Sequence, residues 1–390
     1  MKPALKQLPF SLPPPQGGRP DLLIVAGEHS GDQHAALAVR ELAALQPGLR
    51  ISALGGPALA AAGTQLLHDL TATSVVGLVE VLKNIRHFRT VFHATVRWIE
   101  VHRPRAVCLV DYPGFNLRLA QELRKRGLSR KGGGTLPVFY YISPQIWAWK
   151  AGRRFEMAKT LDAMAVIFPF EVQSYADTKL PVSFVGHPFV SGGEPSTVSY
   201  DPAGPVLLLP GSRRQAVARI FPALLDAYLW YRNDQGDREA AVIYPDDDVL
   251  AVVRKSAVAS FRLVRAGAPV AASAVLTSSG TMSMRCALAG IPGAIAYRTN
   301  PLTYFLARRL VKVPFIGIAN LLLGEPMYPE FIQGLATPAR LAAQLHASVT
   351  DRNRILQTRG QAVRLRQLLS EPAAGSVGAW LAGHLAAADV

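Results

Sequence analysis

A chain of 390 residues exceeds what one ordinary hydrophobic core organises, and 49% hydrophobic against 18% charged residues excludes a disordered protein. The formal charge of +15 attracts anions; without zinc-ligand spacing or an RNA-binding aromatic run, it excludes nucleic acid as the expected partner and leaves phosphorylated small molecules or an acidic lipid surface. Cys108 and Cys286, both in apolar segments, exclude a disulfide framework and suit a reducing cytoplasm, and no run reaches the ~18 apolar residues of a membrane span.

Residues 1–20, basic and Pro-rich without a sustained apolar stretch, read as a floppy leader and not as a signal peptide. From Leu22 onward, short apolar runs alternate with longer amphipathic segments, the pattern of a doubly wound parallel sheet. Strands are predicted at Leu22–Ala26, Ile51–Leu54, Ala106–Val110, Val138–Ile142 and Ala163–Phe168. After a Gly-, Pro- and Ser-rich linker at Pro188–Pro205, further strands are predicted at Val206–Leu209, Ala241–Tyr244, Ala274–Thr277 and Ala294–Tyr297. The predicted domains span residues 21–188 and 206–337, with a helical tail over 338–390. The fold class is therefore α/β, two Rossmann-like domains facing a cleft, with ligands at the carboxyl ends of the strands.

The first strand ends in Ala26-Gly27-Glu28-His29-Ser30-Gly31-Asp32. Two glycines permit a tight turn, and the carboxylates of Glu28 and Asp32 suit sugar hydroxyls better than a pyrophosphate; capping of the next helix by Ser30 or Asp32 is the plainer account. Then Val75-Val76-Gly77-Leu78-Val79 is apolar without a core period, and Val81, Leu82, Ile85, Phe88, Phe92, Val96 and Ile99 recur at helical spacing among Lys83, Arg86, His87, Arg89 and Arg97. Val76, Leu78 and Leu82 are candidate contacts with an anionic membrane surface, against an ordinary core-facing helix with a solvated basic side.

Asp111 stands at the end of the Ala106–Val110 strand, where a general base belongs, although it also suits an N-cap. Tyr140, Tyr141, Trp147 and Trp149 flank a Ser143-Pro144 turn and serve either a sugar or acyl chain or the core. Phe168-Pro169-Phe170-Glu171 and Val185-Gly186-His187-Pro188 read as loop ends, with His187 more structural than catalytic. Pro210-Gly211-Ser212-Arg213-Arg214 opens a helix with a glycine turn, a hydroxyl and two guanidiniums, which makes an anion site for a diphosphate. Asp246-Asp247-Asp248 reads as an acidic first helical turn and not as a metal site. Thr277-Ser278-Ser279-Gly280-Thr281 offers amides and hydroxyls at a second strand–helix junction, for more of the same nucleotide or as plain turn chemistry.

From about Leu22 to Gly334 these motifs run in the order of the lipid-A-disaccharide synthases, which the chain resembles. The most specific matches are Gly27–Asp32, Gly77–Leu82 and Ser143–Trp149, joined by Phe168–Glu171, Val185–Pro188, Leu209–Arg213, Tyr297-Arg298, Asn320–Leu322 and Pro329–Gln333. The resemblance implies a GT-B fold and a cytoplasmic enzyme peripheral on the inner membrane. It implies transfer of 2,3-diacylglucosamine from its UDP conjugate to 2,3-diacylglucosamine 1-phosphate, giving a β(1→6) disaccharide 1-phosphate and UDP. No cofactor or metal is expected. Residues 21–188 become the acceptor and membrane-facing domain and 206–337 the nucleotide-sugar domain, with the tail crossing back onto the first.

By the same resemblance Asp111 is the base for the acceptor 6-hydroxyl and Arg213 neutralises the departing diphosphate. Glu28, Ser30, Asp32, Ser212, Ser279, Gly280, Thr281, Arg298, Asn320, Glu330 and Gln333 become substrate-binding candidates. The chain departs from the family pattern at Arg285 and Ala216, where a Glu is usual, and at Ser273, where an Asp is usual. Two alternatives remain beside the transferase: a UDP-sugar epimerase of the same fold, and a non-catalytic relative that binds glycolipid or membrane.

Overall fold

The segments Leu22–Ala26, Ala106–Val110, Val138–Tyr141 and Ala163–Val166 are wholly apolar, and in the structure, a computed structural model, every one of their residues is buried. Strands covered on both faces by helices need such continuous apolar runs. The structure describes residues 10–73, 78–191, 196–235, 238–255, 261–301, 304–305, 309, 313–370 and 375–387, excepting the side chains of 73–85, 191 and 235. Val76 therefore lies outside the described residues, as do the side chains of Leu78 and Leu82.

The chain divides into two units, residues up to 192 together with those from 371, and residues 193–370. The first holds a seven-stranded parallel sheet of β1 (Leu22–Ala26), β2 (Ile51–Gly55), β3 (Gln65–Asp69), β4 (Ala106–Val110), β5 (Val138–Tyr141), β6 (Ala163–Val166) and β7 (Val182–Phe184), in the order β3-β2-β1-β4-β5-β6-β7. The second holds β8 (Val198–Tyr200), β9 (Val206–Leu209), β10 (Ala240–Tyr244), β11 (Arg262–Arg265), β12 (Val270–Ala272), β13 (Ala274–Thr277), β14 (Gly293–Tyr297) and β15 (Glu330–Ile332). Its six-stranded parallel sheet runs β11-β10-β9-β13-β14-β15, and β12 pairs with β8 apart from it. These are the two Rossmann-like halves that the alternating pattern predicts. The edge strands β3, β7, β11 and β15 escape that pattern, because half-exposed strands carry polar residues in place of an apolar run.

Strand order reverses between β1 and β4, and again between β9 and β13. Ala26 lies in register with Val110, and Leu209 with Thr277. The loops after each such pair therefore emerge side by side, where this architecture builds its sites.

The helix Leu78–His102 buries Val91, Val96, Trp98 and Ile99 in the first core, so its second half is core-facing. Within the tail over 338–390, the helix Val377–Ala386 packs on the helix His29–Leu45 of the first unit. Gly378 there lies so close to the helix His29–Leu45 that a Cβ would come within 2.4 Å of the Glu41 Cβ, and its N–H donates to Glu41 Oε2 at 2.9 Å. The helix Pro338–Thr350 instead packs on Arg214–Gln235, and Arg352–Ser370 packs on Thr281–Leu288 and Ile318–Leu323, burying Leu341, Leu345, Leu365 and Leu369 within the second unit.

Candidate active site

Asp111 follows β4 with φ +45°, and Tyr112 follows with φ +48°, two successive left-handed residues that are not glycine. Each such residue costs ~1–3 kcal/mol and persists only where its surroundings over-determine it. Here the Asp111 N–H donates to the Tyr141 carbonyl at 2.9 Å, and the Asp111 carbonyl accepts from Tyr140 Oη at 2.6 Å and Asn116 Nδ2 at 2.9 Å. Asn116 is fully buried and also bonds the carbonyls of Val25 and Val110, tying β1 to β4 beneath the bend. The Tyr112 ring lies over Gly27, where a Cβ would come within 2.0 Å of it. Only glycine fits there.

The bend lifts the Asp111 carboxylate beside the start of the helix His29–Leu45, where Gly31 leaves room: a Cβ on it would stand 4.0 Å from the Asp111 Cβ. Burial pushes the Asp111 carboxyl up to about 6, the negative charge of Glu28 pushes it the same way, and the Tyr112 amide opposes both. A carboxylate with that value is still ionised at neutral pH, yet binds a proton more avidly than a free aspartate. That is the tuning a general base needs.

Asp32 does not share this role. It is fully buried, and its oxygens accept the amides of Gly56 (2.7 Å), Ala58 (2.9 Å) and Leu59 (3.2 Å), closing the start of the helix Pro57–Ala61. The carboxylate caps a helix remote in sequence. Glu28 and Ser30 remain half-exposed at the mouth of the turn.

The aromatic segment divides. Tyr140 and Tyr141 belong to the core, Trp149 is exposed under the Lys150 ammonium at 4.5 Å, and Trp147 Nε1 donates to Glu171 Oε1 at 3.2 Å. Glu171 is buried, accepts the Phe168 amide as well, and has its carboxyl pushed by burial up to about 8 against those donors. In the sequence Glu171 stands only within the Phe168–Glu171 motif; the signal for its role is a Glu three residues after Phe168, the spacing of a capping box. His187 is buried between Phe168 and Phe189, and its Nδ1 accepts the Phe189 amide, the structural role expected of it.

In the second unit, Gly211 takes φ +108° between β9 and the helix Arg214–Gln235, with Ser212 and Arg213 exposed beside it. The Ser278 amide donates to the Leu209 carbonyl at 2.8 Å, so the loop after β13 abuts this turn. Ser279 donates its hydroxyl to the Ile316 carbonyl at 2.8 Å, while Gly280 and Thr281 stand exposed at the start of Thr281–Leu288. The structure thus brings Ser212, Arg213, Ser279, Gly280 and Thr281 to neighbouring loops. The exposed Ser212 hydroxyl and Arg213 guanidinium, beside the exposed turn at Gly280-Thr281, suit a diphosphate.

Beyond β14, Arg298 Nη2 donates to the Ala336 carbonyl at 2.6 Å, and the Gln333 side chain makes both hydrogen bonds to the Thr299 backbone. These residues line a cavity of ≈ 570 Å³ with Arg219, Pro301, Tyr304 and Gly334. Arg219 and Tyr304 carried no sequence signal. Asn320, by contrast, is fully buried and spends its amide on the Tyr328 backbone and Glu330. These bonds brace the segment that leads into β15. Glu330 already accepts from the amides of Ile316 and Gly317 and from Asn320. Asp246 accepts the Val249 amide at 2.9 Å, so the acidic run opens a helix as expected.

Among solved structures, the chain is similar to a UDP-GlcNAc 2-epimerase from Neisseria meningitidis bound to UDP-GlcNAc, with TM-score 0.58 at 10% identity over 90% of this chain and all of that one. It is also similar to the glycosyltransferase of kitacinnamycin, with TM-score 0.57 at 16% identity over 94% and 99%. Likenesses so distant in sequence show the fold alone, the GT-B arrangement of two Rossmann-like halves. Sequence relatives are more specific. A lipid-A-disaccharide synthase of Geobacter metallireducens is 38% identical over 386 residues, covering 91% of this chain and 96% of that protein. Lipid-A-disaccharide synthase 1 of Legionella pneumophila strain Paris is 37% identical over 366 residues, covering 90% and 93%. The profile of the lipid-A-disaccharide synthetases matches residues 22–376, nearly the whole length of both units, and the chain belongs to that family of glycosyltransferases of lipid A biosynthesis.

Proposed function

We propose that this chain is an inverting hexosyltransferase that condenses UDP-2,3-diacylglucosamine with 2,3-diacylglucosamine 1-phosphate, with Asp111 as its base. The observation that carries the reading is the carboxylate of Asp111, held out by a left-handed bend and raised to about 6 at the switch point of the first sheet. In this reading Asp111 takes the proton of the acceptor 6-hydroxyl as that oxygen attacks the anomeric carbon. The bond from that carbon to the diphosphate breaks, and UDP departs as an anion. Arg213, the hydroxyl of Ser212 and the turn at Ser279-Gly280-Thr281 receive the diphosphate charge, electrostatic help that counts most for an anionic leaving group. Glu28 and Ser30 face acceptor hydroxyls; Arg298 and Gln333 shape the wall of the donor pocket.

Both substrates carry acyl chains, so the enzyme works peripherally on the cytoplasmic side of the inner membrane, with Val76, Leu78 and Leu82 in the interface. No helix among the described residues is long and apolar enough to cross a membrane. The test is to incubate the protein with both lipids and follow UDP and the disaccharide. Equimolar appearance of the two supports the reading; UDP release without disaccharide, or no UDP at all, overturns it.

A further inference from the structure

The helix Arg352–Ser370 carries five arginines and no acid. Two of the arginines are engaged within the fold. Arg354 donates to the Gly293 carbonyl at 2.6 Å and to Ser348 Oγ at 3.3 Å, and Arg364 pairs with Glu325, which also accepts from Gln361 at 2.9 Å. The other three, Arg352, Arg359 and Arg366, fall at steps of seven residues, which at 3.6 residues per turn keeps them on one side of the helix. Leu356 and Val363 alternate with them on that side and are 54% and 52% exposed. The buried residues Thr358, Gln361, Ala362, Leu365 and Leu369 occupy other positions of the wheel. The stripe runs for about 21 Å.

A groove underlies it. Leu356, Arg359, Val363 and Arg366 line a cavity of ≈ 480 Å³ with Tyr200 and Gly290, and the Arg359 guanidinium lies 5.8 Å from the centre of the Tyr200 ring. Gly290, at φ +70°, brings its turn against the helix, where a Cβ would already touch Arg359 Cγ at 3.5 Å. Asp351, just before the helix, is spent on the amides of Asn353 and Arg354.

We infer that this stripe is a docking surface for an anionic phospholipid bilayer, separate from the segment around Leu78. Charge decides the occupant. A second copy of the same face would set arginine against arginine across a two-fold axis. Nucleic acid would leave Leu356 and Val363 without a partner. A bilayer of acidic lipids satisfies both parts: phosphates accept from the guanidiniums, while the two apolar side chains and the arginine stems enter the headgroup boundary. The groove beside Tyr200 gives a headgroup a recess with Arg359 and Arg366 at its rim.

The test is sedimentation with phosphatidylcholine vesicles, with and without phosphatidylglycerol, using the full chain. Each arginine at an acidic surface is worth about fivefold in affinity, so R352Q/R359Q/R366Q should lose about a hundredfold on the acidic vesicles and nothing on the neutral ones. L356S/V363S, which keeps every charge, should also bind more weakly, and its remaining binding should vanish at high salt. Both variants should melt with the parent, since all five positions are exposed. Acidic-vesicle binding by the triple variant within about twofold of the parent overturns the proposal, as does a parent that ignores acidic vesicles while retaining RNA or an acidic protein. Sedimentation requires no turnover, so this result stands or falls apart from the transferase reading.

Discussion

Replacing Asp111 by Asn should separate stability from catalysis. The folded carboxyl sits at about 6, above its ordinary 3.8, so the folded state binds the proton more tightly than the unfolded chain does. The stabilising preference is complete below about pH 4 and is lost as pH rises through about 6, leaving an ionised, partly buried carboxylate as a burden at neutral pH. That difference corresponds to about 3 kcal/mol as an upper bound. Asparagine keeps the shape and never ionises. Asp111→Asn should therefore raise the melting temperature near pH 8 by up to about 6–12 °C, and by little near pH 4. The same substitution should lower turnover by about 10²–10⁴-fold. Thermal unfolding of both proteins across this pH range, with UDP release measured in parallel, checks both. A variant less stable than the parent at pH 8, or a gain that ignores pH, would refute the electrostatic account of the bend.

Glu171, pushed by burial to about 8, likewise contributes stability that is complete at low pH and lost as pH rises through about 8; Glu171→Gln should flatten the alkaline limb of the stability curve, and a limb unchanged by the substitution contradicts its burial in neutral form. Arg285 offers donors where the family resemblance implies a carboxylate, so UDP and 2′-deoxy-UDP should bind within about threefold of each other by calorimetry. Arg285→Glu should restore preference for the ribose form, and a parent that already prefers it strongly shows another residue in that role. Serine at Val76, Leu78 and Leu82 should weaken binding to anionic vesicles, and raised salt should weaken it in the parent. If neither change matters, that segment is core.

Legibility in the sequence followed burial. Continuous apolar runs revealed β1, β4, β5 and β6, whereas β3 (Gln65–Asp69) and β11 (Arg262–Arg265) are only partly buried, carry polar residues and read as loop. The place of Asp111, just past a buried strand, was legible because the apolar run ends at Val110. Its left-handed bend was not, because Asn116 and Tyr140 impose it from five residues downstream and from the neighbouring strand. The partners of Asp32 were hidden for the opposite reason. Its local context is that of an exposed turn, and only the packing of residues 56–59 against it, from 24 residues away, shows the carboxylate to be consumed. The partners of Asn320 were hidden in the same way, through its pairing with Tyr328.

The most direct test of the central claim, that Asp111 is the base of a glycosyl transfer, is the pH dependence of kcat/KM for disaccharide formation. The account predicts a rise of about tenfold per pH unit on the acid side that levels near pH 6, matching the raised carboxyl, and that disappears in Asp111→Asn. A profile that is flat through pH 6, or one with the same inflection in the asparagine variant, would contradict it.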